Sequence, residues 1–142
     1  ATHMTRSCLY IFIASALIAC GDPPLLVTPL PNGYNFHSNG GEFGYIKNPD
    51  GLRLAEYFGI RNDGRETWCT DFSWESDIVI CKLIEYSQHG FDASHTEFFV
   101  LDTKTSEVRV FPDQASAQNF WAARFNSGLP QLHRHYPSTS EK

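Results

Sequence analysis

No cluster of lysine or arginine occurs anywhere in these 142 residues, and Asp and Glu outnumber Lys and Arg sixteen to eleven, a net charge of −5. A nucleic-acid groove therefore has no electrostatic footprint. A polybasic membrane patch is equally absent, so any membrane attachment must come from a lipid. Catalytic signatures are lacking as well: there is no G-x-S-x-G elbow, H-E-x-x-H pair, P-loop or Rossmann glycine pattern. Glu56 and Glu85 could be imagined as a glycosidase pair, but with sixteen acidic residues they read as solvated surface positions. No apolar run approaches the ~20 residues that cross a bilayer as a helix. No internal repeat is convincing, and cysteine is scarce, at four. Aromatic residues are not scarce: at 14% they argue for a folded core and against disorder.

The longest apolar stretch is LYIFIASALIAC, residues 9–20, behind Met4 and the single basic residue Arg6. A basic start followed by an apolar segment too short to span the membrane is the pattern of a secretory leader. Leu17, Ile18, Ala19 and Cys20 resemble the lipobox of bacterial lipoproteins, in which the cysteine is lipidated and becomes the mature N-terminus. That resemblance implies a signal peptide over residues 4–19, lipid on Cys20 and a place in the bacterial envelope facing the periplasm. Ala1-Thr2-His3 ahead of Met4 reads as a vector-derived remnant over residues 1–3. Gly21 follows the cysteine and Asp22 comes one later, which by the sorting pattern of Gram-negative lipoproteins favours the outer membrane over the inner. Loss of Arg6 with the leader leaves ten basic against sixteen acidic residues, a mature charge of −6 over 123 residues. That length suits one domain.

Four prolines fall in residues 21–32, so residues 20–32 are expected to form an extended, lipid-bearing tether. A single globular domain is expected over residues 33–136, with a flexible tail at 137–142. Within the domain, short apolar or alternating runs at 34–37, 42–47, 53–61, 66–74, 77–86, 96–102 and 107–111 are separated by Asn, Gly, Pro and Asp. Asn48-Pro49-Asp50-Gly51 suits a type I turn. Runs of this length with turns between them indicate an antiparallel meander. One helix follows: Asp113 can cap it, Ala117, Trp121 and Phe125 recur on one stripe with Phe120 beside them, and Gly128 and Pro130 stop it. The expected class is α+β, mostly β, an antiparallel meander with a C-terminal helix packed on the sheet.

With Cys8 in the leader and Cys20 lipidated, Cys69 and Cys81 remain. In an exported protein the pair suggests a disulfide, and the alternative is two buried free thiols. A hairpin centred near Glu75 would set 69 opposite 81, close enough to bridge. It would leave Trp68, Phe72, Ile78 and Ile80 on the other face. The tip of that hairpin carries Asp71, Trp74, Glu75 and Asp77. Tryptophan is favoured at binding hot spots, and acidic groups around it steer basic partners, although polar residues also belong at turns for conformational reasons. His89, Asp92 and His95 share the loop QHGFDASH, and imidazole with carboxylate suits a transition metal. Nothing supplies a fourth ligand, and His133 and His135 lie elsewhere, so no metal or cofactor is assigned.

Residues 96–130 (TEFFVLDTKTSEVRVFPD, then NFWAARFNSGLP) are similar in style to small bacterial lipoproteins, some of which are immunity proteins that neutralise toxic effectors in the periplasm. The expectation is a non-catalytic, lipid-anchored binding protein whose partner is a protein, an immunity protein against a periplasm-acting toxin. The alternative is a scaffold for envelope assembly or maintenance.

Overall fold

A computed structural model describes residues 26–38 and 43–134. The leader, Cys20 and the 137–142 tail expected from the sequence lie outside the described residues. Apolar positions recur at every second residue along the chain, and the strands they define join one antiparallel sheet. Strand β1 (Leu26–Pro29) turns through a short 3-10 segment, Pro31–Gly33, into β2 (Asn35–Ser38). Then come β3 (Gly44–Lys47), the two-residue β4 (Gly59–Ile60), β5 (Glu66–Glu75), β6 (Ile78–Ser87), β7 (Gly90–Asp102) and β8 (Val108–Phe111). Helix α1 (Gln114–Phe125) and the two-residue β9 (His133–Arg134) complete the order. The sheet runs β1-β2-β3-β5-β6-β7-β8, with β4 and β9 also pairing with β5. The mostly β meander with one C-terminal helix expected from the sequence is the observed fold.

The fold begins earlier than expected. Leu26–Pro29 pairs with β2 in full register, so the last part of the proline-rich segment is an edge strand and not tether. An edge tolerates Pro29 because its missing N–H need not join a second ladder. At Asn48 the turn is as anticipated: the Gly51 N–H donates to the Asn48 carbonyl at 2.9 Å, and Asn48 Oδ1 accepts from the backbone of Asp50 and Leu52. The run expected over 53–61 is mostly not strand; it bridges once, Arg53 to Lys47, turns, and pairs again only at Gly59 and Ile60.

The central hairpin departs from the expected register. Glu75 lies opposite Ile78 around the turn Ser76-Asp77, and a β-bulge falls between Cys69 and Asp71. Cys69 consequently faces Leu83, and Cys81 faces Phe72. The extra residue also moves Phe72 to the cysteine side of the sheet, where both belong to one buried cluster with Phe36, Ile46, Leu83 and Phe99. The expected disulfide is not formed: the Cys69 and Cys81 thiols are buried side by side, 3.5 Å apart, and the Cys69 thiol donates to the Asp71 carbonyl at 3.4 Å. Burial, reinforced by the neighbouring Cys81 thiol, pushes the Cys69 thiol well above its usual range. Both sulfurs are buried and closed to reagents in solution. In the folded domain both should resist iodoacetamide, and mass analysis should show both alkylated only in denaturant; rapid native labelling would contradict this packing.

Paired residues share a face, so the register sorts the sheet. The inner face holds Tyr34, Phe36, Ile46, Cys69, Phe72, Val79, Leu83, Phe99 and Leu101, and Val108 and Val110 pack against the same cluster. Tyr34 Oη lies 2.8 Å from Ser106 Oγ, so the β1–β2 end reaches the β7–β8 turn and the open sheet curls over this core. On the outer face Ile78, Ile80, Phe98 and Val100 lie under α1, through Ala117 and Trp121. Asp113 caps α1 by accepting from the Ser116 N–H at 2.8 Å. The helix stops at Asn126, in the left-handed conformation (φ 54°), two residues before the glycine expected to end it.

Candidate functional site

The hairpin tip exists, and it is braced. Trp74 is 41% exposed, with its ring stacked 6.1 Å from Phe72. Glu75 and Ser76 are exposed beside it, and Ser76 takes a positive φ of 52° to close the turn. Asp77 is committed inward: its carboxylate accepts from Asn32 Nδ2 at 3.0 Å, and its carbonyl accepts from the Thr103 N–H at 2.9 Å and the Thr103 hydroxyl at 2.6 Å. Asn32 Nδ2 also donates to Thr103 Oγ1 at 3.0 Å. Turns from three parts of the chain are thus pinned together under the tip.

Asp71 does not belong to this constellation. It lies four residues along β5, roughly 13 Å away at strand rise. It sits opposite Lys82 on one side and Arg134 on the other, and the Thr70 hydroxyl donates to its carboxylate at 2.9 Å. Of the four residues singled out in the sequence, Trp74 and Glu75 form the exposed tip, Asp77 supports it, and Asp71 is remote.

The histidine loop is resolved into strand and turn. Phe91 and Asp92 pair with Tyr86 and Glu85 of β6, while residues 93–95 form a bulge in β7. Asp92 Oδ2 lies 2.6 Å from His95 Nδ1. Hydrogen bonds from Ser94, then the contact with His95, hold the Asp92 carboxyl at about 2, and the same contact raises His95. His89 sits in the preceding turn against Gln88. Among the described residues no group of three or more His, Cys, Asp or Glu is placed to hold a metal ion. Elsewhere an open cleft of about 210 Å³ between β8 and α1 is lined by Arg109, Arg124, Phe120, Asp102 and Glu107. Its charges partly satisfy one another, since Arg109 pairs with Glu107 at 3.3 Å and stacks on Phe120.

A second surface was not apparent in the sequence. The half of the outer face beyond Lys82 is not covered by α1, and aromatic rings cross it from strand to strand. His37 stacks on Tyr45 at 5.6 Å, Tyr45 meets Trp68 at 6.2 Å, Trp68 meets Phe43 at 4.7 Å, and Phe43 reaches Phe91 at 5.9 Å. Tyr86, 39% exposed, closes the row 5.2 Å from Phe91. Trp68 Nε1 donates to Glu66 at 2.9 Å, and the Arg53 guanidinium lies 5.8 Å from the Trp68 ring centre. His37 is held below its ordinary value, first by burial and then by the charge of Lys47, so it stands neutral at pH 7. Alternation at Phe43, Tyr45, Trp68 and Tyr86 hints at single members of this row, but only the register joins it, and Phe91 lies in a stretch whose sequence suggests a loop.

No protein-family model, curated protein or solved structure matches this chain. Among the described residues no helix is long and apolar enough to cross a membrane.

Proposed function

We propose that this chain is a non-catalytic binding protein of the bacterial envelope, anchored by lipid on Cys20 and facing the periplasm, and that it serves as an immunity protein by occupying a periplasm-acting toxin. The observation that carries the reading is the braced tip. An exposed Trp74 beside Glu75 projects from a hairpin whose turn is fixed by Asn32 and Thr103. A recognition element held in place loses little entropy on docking. Tryptophan is the residue type most often found at a hot spot, and the acidic neighbour would speed encounter with a basic cleft.

The test is toxin neutralisation in cells that co-express the periplasm-targeted toxin. Trp74→Ala should weaken binding about 30-fold, which corresponds to ~2 kcal/mol. Glu75→Lys should chiefly slow association and flatten its salt dependence. Asp77 is left intact because its replacement would loosen the brace. If Trp74→Ala/Glu75→Lys still protects fully, the tip is not the inhibitory surface. If no periplasmic toxin binds the domain, immunity is ruled out and the scaffolding alternative stands in its place.

A further inference from the structure

We propose that the uncovered aromatic half of the outer sheet face rests on the membrane itself, in the headgroup layer of anionic phospholipid. The proposal rests on the lipid-anchor reading above and adds to it the surface that the anchor brings down. Three observations lead to it, from chain length, side-chain chemistry and charge.

The anchor is close to this face. Only residues 21–25 separate Cys20 from Leu26, and six extended steps of ~3.5 Å reach about 20 Å at most. The strand at the end of that reach is β1, the sheet edge, where Leu26 and Val27 are 48% and 51% exposed. Val27 pairs with His37, and His37 with Tyr45, so Val27 heads the ring row on the same face. Ile60, 76% exposed, pairs with Glu66 at the row's far end. An apolar edge tied by lipid within ~20 Å of a bilayer needs little intrinsic affinity to settle there, because the tether keeps its local concentration high.

The side chains suit an interface rather than a dry core. Trp and Tyr, with an apolar body and a polar handle, are the rings favoured at headgroup depth. Here Tyr86 is exposed, and the Trp68 N–H is already satisfied by Glu66. Lys47 and Arg53, bridged to each other across their turn, flank the row, and among the described residues neither pairs with a carboxylate. Long basic side chains can keep their stems on apolar surface and extend their charges to phosphate. On a mature chain of net charge −6, Lys47 and Arg53 beside the rings, against the Glu66 carboxylate already bonded to Trp68, favour this face for an anionic surface. The acidic tip at Glu75 lies nine residues along β5 from Glu66, about 30 Å away at strand rise, and remains clear of the membrane for a partner.

The experiment uses the full chain as processed by an envelope-bearing host, reconstituted into phosphatidylethanolamine vesicles with a minority of phosphatidylglycerol and brominated acyl chains. Bromolipid quenching of tryptophan fluorescence is compared between Trp74→Phe, which keeps Trp68, and Trp68→Phe, which keeps Trp74; buried Trp121 is common to both. Quenching should be at least threefold stronger with Trp68 present, and Lys47→Glu/Arg53→Glu should reduce it by half or more. Equal quenching of the two variants overturns the proposal. So does shielding of Trp68 from iodide that grows with protein concentration in the absence of vesicles, since a second copy would then cover the face. The mass of the N-terminal peptide reports lipidation separately. Lipid on Cys20 with Trp68 unquenched removes the surface and leaves the anchor, while strong Trp68 quenching on a chain without lipid removes the anchor and leaves the surface.

Discussion

Trp121→Ala should cost about 3–5 kcal/mol, the range for truncating a large buried ring, and so remove much of the 5–15 kcal/mol typical of a domain. Trp121 is fully buried where α1 crosses Ile78, Ile80, Phe98 and Val100, with the Phe125 ring tilted against it at 4.5 Å and Leu129 and Leu132 closing the cluster from beyond the helix. Ala117, one turn earlier, is the only other fully buried residue of α1, so the helix is held to the sheet mainly by this indole. Urea unfolding should show the midpoint falling with the slope unchanged. Trp121→Phe should cost less than half as much. Among the described residues the indole Nε1 has no hydrogen-bond partner, and a buried unpaired N–H carries a penalty of ~1–3 kcal/mol that phenylalanine removes. If phenylalanine costs as much as alanine, the indole N–H is doing something this packing does not show.

How much of this was legible in the sequence depends on which physical signal each feature leaves. Helix α1 leaves three: an Asp cap, a stripe at 117, 121 and 125, and a turn beyond it. Its start and its buried residues follow directly from these. Its end does not, because Asn126 can take the left-handed conformation with little penalty and does so before Gly128. Strand alternation identifies β5 to β8 within a residue or two, except that β7 starts six residues earlier than its apolar run. Apart from Phe91 the segment 90–95 is small or polar, and ladder hydrogen bonds to β6 rather than an apolar run keep residues 90–92 extended. The bulge beside Thr70 has no periodic signature. Without it a regular hairpin sets Cys69 opposite Cys81 and Phe72 on the outer face; the bulge shifts both. The tip is unaffected, since Trp74 and Glu75 stay beside the turn in either register. Alternation marks single members of the aromatic row but not the row itself, because it is assembled from five strands and the segment leading into β3.

The second large effect concerns the packing of Phe36 over Gly44. Phe36 is 1% exposed, and its ring stacks on Phe72 with centres 4.0 Å apart and planes 14° from parallel. To reach Phe72 the ring crosses Gly44: a Cβ built there would lie 2.4 Å from Phe36 Cζ and 2.6 Å from the His37 carbonyl oxygen. Glycine is required here for space and not for backbone angle. Phe36→Ala should cost about 3–5 kcal/mol through the lost ring and the cavity left in the inner core. Gly44→Ala should cost ~1–3 kcal/mol from overpacking, toward the upper end because one obstacle is backbone in the β2–β3 ladder and cannot swing aside. The two costs should not add. Removing the Phe36 ring clears the nearest obstacle to a Cβ at Gly44 and opens space that the new methyl partly fills. The double variant should therefore be less destabilised than the sum by ~0.5–3 kcal/mol, the range for residues in direct contact. Relief should be incomplete, because the His37 carbonyl is unchanged. Denaturant titration of all four proteins measures the coupling, and strict additivity would mean that the Phe36 ring does not lie across Gly44.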